Sequence, residues 1–197
     1  MSDDLTKIDG PVRRLFERIA GPAAAETPDL EAIGAAILEL AADRDYWTSW
    51  IQRLGDAGGS LPIHAPARGP RLALVRRPEG QMGAVHDHGT WVVLSPILGV
   101  ERHRRYKVAD ARSTALPQLI ESRAFEAADV VTMMPPDDVH DHGHVAGEGR
   151  PANVLILTGE DQTRFTRNEW DLASGRHRLL KPGESGRWLA SEPFPHA

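Results

Sequence analysis

Val85-His86-Asp87-His88-Gly89-Thr90-Trp91 is the stretch around which the chain is organised. Side chains alternate between the two faces of a β-strand, so a strand here puts His86 and His88 on one face and turns Asp87 to the other. Two adjacent imidazoles make a clamp for a metal ion, and the clamp needs at least one more ligand. The second half of the chain offers candidates in Val139-His140-Asp141-His142-Gly143-His144. Gly80 precedes the first cluster and Gly99 follows it, while Asp129, Pro135 and Asp137 lead into the second.

The 197 residues are 41% hydrophobic and 26% charged, which suits one domain with a substantial core rather than a disordered chain. A net charge of -5 argues against a general nucleic-acid surface. No cysteine is present, which excludes a disulfide scaffold and any thiolate zinc site. Met1-Ser2-Asp3-Asp4-Leu5 has no basic stretch leading into an apolar core, and no apolar run is long enough to span a bilayer. A cytoplasmic protein without membrane or nucleic-acid partners is the expectation.

Pro11 to Ala20 carries Val12, Leu15, Phe16 and Ile19 at helical spacing, with Gly21-Pro22 expected to break the helix. Leu30, Ile33, Ile37, Leu38 and Leu40 mark a second helix to about Ala42, and Asp45 to Ile51 a third that stops before Gly58-Gly59. Trp47 and Trp50 are expected to pack rather than bind a ligand. From Leu61 the texture changes to short apolar runs between Pro and Gly. Strands are expected at 71–76, 83–88, 91–98, 101–108, 122–127, 129–134, 142–146 and 152–158, a pattern that points to a sandwich or barrel. The expected organisation is a helical segment over 1–60 packed on a barrel over 61–180, then a turn-rich tail over 181–197 with Trp188 and Leu189 tucked back onto the core.

The spacing Gly80, His86, His88, Gly99, with Pro135 ahead of His140, resembles the paired motifs of the cupin superfamily. That resemblance implies a mainly β fold, a double-stranded β-helix or jelly-roll barrel under the N-terminal helical layer. Where most metal cupins place a glutamate ligand after the second histidine, this chain has Val92 and Val93. Loss of that glutamate is characteristic of the thiol dioxygenases, and His-Asp-His-Gly-Thr-Trp is similar to their bacterial members, the cysteine and 3-mercaptopropionate dioxygenase-like proteins. The likeness extends through Gly99-Val100-Glu101-Arg102, Asp138-Val139-His140 and Trp170-Asp171-Leu172-Ala173-Ser174-Gly175. It implies Fe(II) held by His86, His88 and His140, with Ni, Zn, Co and Mn as alternatives, and addition of O2 to a small thiol to give a sulfinic acid. The absence of cysteine excludes the Cys–Tyr crosslink of the animal enzymes.

Three histidines on one face of a metal leave positions open for a bidentate substrate and O2. A neutral ligand set keeps the full dication charge, which deprotonates a coordinating thiol. The family's Ser-x-His-x-Tyr relay is missing, since Asn153-Val154-Leu155-Ile156-Leu157-Thr158-Gly159 occupies its place. His142 or His144, with Tyr106, are the candidates to replace it, and either histidine could instead support or join the metal site. A substrate carboxylate needs a cation, for which Arg68, Arg71, Arg76 and Arg77 are available, with His64 near the place of the family's arginine. Arg68 and His64 are the expected substrate contacts, and Tyr106 and His144 the expected catalytic groups. In the strand after Gly99, alternation lets only one of the pairs Arg102/Arg104 and His103/Arg105 face the interior.

Two other functions compete. A three-histidine cupin could cleave a carbon–carbon bond of a diketone, as an apolar pocket of Met133, Leu155 and Leu157 without an arginine would favour. A non-catalytic metal-binding cupin would have His142 or His144 closing the coordination sphere. A homodimer is a further expectation from the resemblance.

Overall fold

The computed structural model describes residues 8–109 and 115–184. Trp188 and Leu189, expected to fold back onto the core, lie outside the described residues. Among these residues three helices come first, α1 (Gly10–Ala24), α2 (Leu30–Ala42) and α3 (Arg44–Leu54). Asp29 Oδ1 accepts from the Ala32 N–H and Asp43 Oδ1 from the Tyr46 N–H, so α2 and α3 each begin on an aspartate cap. The expected break at Gly21-Pro22 does not occur, and α1 continues through Pro22 to Ala24. Proline there removes one hydrogen bond of the last turns, while Val12, Leu15, Phe16 and Ile19 hold the buried face in place.

Eleven strands follow among the described residues: β1 (Gly59–His64), β2 (Arg71–Arg76), β3 (Val85–His86), β4 (Val92–Leu98), β5 (Val100–Lys107), β6 (Gln118–Glu126), β7 (Val131–Met133), β8 (His140–Gly143), β9 (Asn153–Thr158), β10 (Arg167–Asp171) and β11 (Arg176–Leu180). They form a five-stranded sheet, β1-β2-β9-β4-β7, and a six-stranded sheet, β11-β10-β3-β8-β5-β6. The pairing is nested and antiparallel: β2 with β9, β3 with β8, β4 with β7 and β5 with β6. A ribbon folded in half and wound so that successive strands change sheet gives this order, which is the double-stranded β-helix, or jelly roll.

The helices cover the outer face of the five-stranded sheet. Ile19, Ile33, Ile37 and Trp47 pack there with Leu72, Leu74, Val93, Leu155 and Leu157, all essentially without solvent contact. Trp47 donates its indole N–H to the Leu40 carbonyl at 2.8 Å, so its one polar atom is satisfied inside the core. Trp50 is partly buried against the same core and carries Arg53 over its ring at 4.6 Å. Between the sheets lies a second cluster of Val92, Leu94, Phe125, Val131, Met133 and Val154. Alternation along β9 therefore divides Val154 and Ile156, which face inward, from Leu155 and Leu157, which face the helices. Leu155 and Leu157 are consequently spent on the helical layer. Among the described residues no helix is long and apolar enough to cross a membrane.

Candidate metal centre

The nested winding brings β3 between β10 and β8, and the register sets His86 opposite Glu169 on one side and opposite His140 on the other. His88 follows two residues later on the same face. The ring centroids of His86 and His88 are 4.7 Å apart, and each lies 4.9 Å from that of His140. One nitrogen from each ring lies within 4.8 Å of the other two. Asp87 points the other way, as alternation requires, and accepts the Asn168 backbone N–H at 2.7 Å and its side-chain amide at 2.6 Å.

Two of the three rings have a hydrogen-bond partner for Nδ1. His86 Nδ1 lies 2.9 Å from the Ala84 carbonyl and His140 Nδ1 lies 2.9 Å from His103 Nε2, whereas His88 Nδ1 is buried without one, 3.7 Å from Asp138 Oδ2. Nε2 is then the atom that His86 and His140 offer to a metal. His140 Nε2 is buried and has no hydrogen-bond partner, an arrangement that costs free energy unless something coordinates it. The donor set therefore fits a divalent cation that accepts imidazole nitrogen. Burial, followed by the neighbouring imidazoles, holds His86 and His140 well below the ordinary histidine value, so both rings are neutral and ready to ligate.

The connecting segments hold this geometry. Asp138, almost fully buried, accepts the His88 backbone N–H at 2.7 Å and so ties the first histidine pair to the turn that delivers His140. Gly89 has φ +67°, and a Cβ there would stand 2.5 Å from that of Phe165, so the turn after His88 requires glycine. A cavity of about 880 Å³ opens beside the three histidines. Leu94, Ile156 and Thr158 contribute to its wall.

The other expected site residues are dispersed. Tyr106 lies on the outer face of the six-stranded sheet with Val85, Val139 and Trp170, and its hydroxyl donates to Asp141 Oδ2 at 3.2 Å. It shares the parity of Arg104 on β5, so alternation directs it away from the histidines. His144 is fully buried and spends both ring nitrogens on the backbone: Nδ1 accepts the Gly80 N–H at 3.0 Å, and Nε2 donates to the Gly149 carbonyl at 3.1 Å. It pins two loops and leaves no nitrogen for a metal or a substrate. His64 does line the cavity, with its ring edge against Phe16 at 4.4 Å. Arg68 is exposed and is not part of the cavity wall.

Of the two alternating pairs on β5, His103 faces inward, while Arg104 forms a two-point pair with Asp141 on the outer face. Glu101 also faces inward, fully buried, and its Oε2 accepts from His142 Nδ1 at 2.6 Å. His142 thus stands beside the metal centre, lining the cavity, rather than completing the triad. Sequence reasoning did not single out Glu101, Asp138 or Arg167 as site residues, and it left Arg77 as one arginine among four. A signal existed for Glu101: it shares the parity of His103 on β5, so whichever face holds one holds the other.

No protein-family model and no curated protein matches the chain. Solved structures do. It is similar to an RmlC-like cupin family protein with a double-stranded β-helix fold from Methanocaldococcus jannaschii, at 11% identity over 57% of this chain and 88% of that one, with a TM-score of 0.42. A Cupin 2 conserved barrel domain protein from Salinispora arenicola matches at 15% identity over 54% of this chain and 79% of its own, with a TM-score of 0.38. A DMSP lyase from Ruegeria pomeroyi matches at 15% identity over 65% of this chain and 54% of its own, with a TM-score of 0.39.

Proposed function

We propose that the chain is an iron(II)-dependent oxygenase that converts a small thiol to its sulfinic acid, R–SH + O2 → R–SO2H, with His86, His88 and His140 as the metal ligands. The observation that carries this reading is the convergence of three imidazoles without a carboxylate among them. Asp138 accepts the His88 N–H and Glu169 accepts from Arg178. A site so composed keeps a dication's whole charge for its substrate, which favours a thiol as thiolate. Bound iron(II) would supply the centre at which thiolate and O2 meet.

The residues around that centre have separable roles. Ala84 and His103 fix the ring orientations of His86 and His140, and Asp138 holds the backbone of His88. Leu94 and Ile156 limit water on the opposite wall. Glu101 accepts from His142 Nδ1 and so fixes that ring beside the ligands.

A second reading is favoured by one specific feature. Ile156 and Thr158 line the cavity where a histidine and tyrosine relay is expected, which leaves room for carbon–carbon cleavage of a diketone at the same histidines, although the arginines on the same wall suit a charged substrate better. Oxygen uptake by the iron-loaded protein against cysteine, 3-mercaptopropionate, cysteamine and a diketone series separates the two. One O2 consumed per sulfinic acid formed supports thiol oxidation. Uptake with a diketone alone, yielding cleavage products, replaces it with the second reading.

A further inference from the structure

Four arginines contribute to the cavity wall: Arg71, Arg76, Arg77 and Arg167. Arg71 is paired with Asp161 and Arg76 with Asp56. Neither Arg77 nor Arg167 has an ion-pair partner among the described residues. Arg77 makes no hydrogen bond among them either, and its Nε is buried and unpartnered. Arg167 is only 5% exposed; it donates to Gln162 Oε1 at 3.1 Å and to the Glu184 carbonyl at 3.4 Å, and its Nε is likewise buried without a partner.

The carboxylates that reach these two guanidiniums electrostatically are Glu101 and Asp141 for Arg77, and Glu169, Asp87 and Asp161 for Arg167. Every one of them is already engaged: Glu101 by His142, Asp141 by Arg104 and Tyr106, Glu169 by Arg178, Asp87 by Asn168, and Asp161 by Arg71. A guanidinium keeps its charge when buried, so two cations are left without counter-groups on one cavity wall. Leaving a buried charge uncompensated is costly, and a cavity that holds two such charges is built for an anionic occupant.

Their placement specifies the occupant further. Glu169 pairs with His86 and the Asp87 N–H donates to the Asn168 carbonyl, so Arg167 falls beside His88, on the β10 flank of the metal centre. Arg77 lies on the other flank. Its Nη2 stands 3.2 Å from where a Cβ on Gly83 would be, and the Gly83 N–H donates to the His142 carbonyl at 3.0 Å. Glycine at position 83 makes room for that guanidinium.

We infer that the substrate carries two anionic groups, carboxylates on either side of the atom that meets the metal, one received by Arg167 and the other by Arg77. This inference rests on the thiol reading for the identity of the central atom alone. The test loads the full chain with Co(II) under argon. It compares mercaptosuccinate with 3-mercaptopropionate, and thiol-free succinate with propionate, by calorimetry and by the thiolate-to-cobalt absorption band. The dicarboxylate of each pair is expected to bind about tenfold more tightly or better. Arg77→Gln and Arg167→Gln are each expected to bring it to the monocarboxylate level; Arg167→Met, also neutral, serves if the glutamine variant fails to fold. Equal affinity for one and two carboxylates in the wild-type protein, or a preference untouched by either substitution, overturns the inference. No thiolate band with either thiol, together with an arginine-dependent preference for succinate, overturns the thiol reading and leaves the two-anion inference standing.

Discussion

His103 Nε2 lies 2.9 Å from His140 Nδ1, and both rings are fully buried. Burial pushes His103 down to about 3, so the ring is neutral and can accept the hydrogen that His140 carries while its other nitrogen ligates a metal. His103→Leu removes the acceptor, leaves His140 free to rotate, and should lower metal affinity by about 10- to 100-fold, the usual effect of losing such a partner. Calorimetric titration of the metal-free variant checks this. An unchanged affinity would mean that strand pairing alone positions His140.

Tyr106 provides a contrast. Burial, then the Asp141 carboxylate, pushes its hydroxyl up to about 12, and that hydroxyl faces Asp141 rather than the cavity. Tyr106→Phe should therefore leave kcat and KM within about twofold and cost about 1 kcal/mol of stability, the net worth of one hydrogen bond. Asp141→Ala strands Tyr106 and the Arg104 guanidinium together and should cost about 3 kcal/mol in urea unfolding. A large kcat loss in Tyr106→Phe would place the hydroxyl in the reaction after all.

The metal-free protein should weaken on acidification. His86, His103 and His140 are all held below the ordinary value of 6.5, chiefly by burial, so they stay neutral in the fold while the unfolded chain protonates them. Stability then falls as pH drops below about 6.5, by up to about 1.4 kcal/mol per pH unit for each ring. Urea midpoints of the metal-free protein at pH 7 and pH 5.5 measure this, and a flat or rising stability on acidification would contradict the buried, neutral state of these rings.

Much of the fold can be read from local pattern, and the exceptions have physical causes. β4 and β9 are covered on both faces, so their apolar runs mark them within a residue of their ends. β1 contains Pro62 and is mostly exposed on an edge, which hides its strand character. β10 reads Arg-Asn-Glu-Trp-Asp yet is wholly buried, because its polar residues meet partners from distant strands. The three histidines are legible because β alternation and one cross-strand pairing suffice to bring them together. His103 and Arg77 depend on which strands pair across the barrel and on where the β2–β3 connection lies, neither of which a local pattern encodes. His144 and Tyr106 have suitable chemistry, but their atoms are spent on loop carbonyls and on Asp141.

One centre, made by His86, His88 and His140, underlies the proposed chemistry. Equilibrium iron(II) and cobalt(II) binding to the wild-type protein and to His86→Ala, His88→Ala and His140→Ala tests it directly. One metal per chain in the wild type, with affinity reduced by about a hundredfold or more in each variant, is the predicted result. Wild-type metal content in any of the three would remove that histidine from the ligand set and contradict the account.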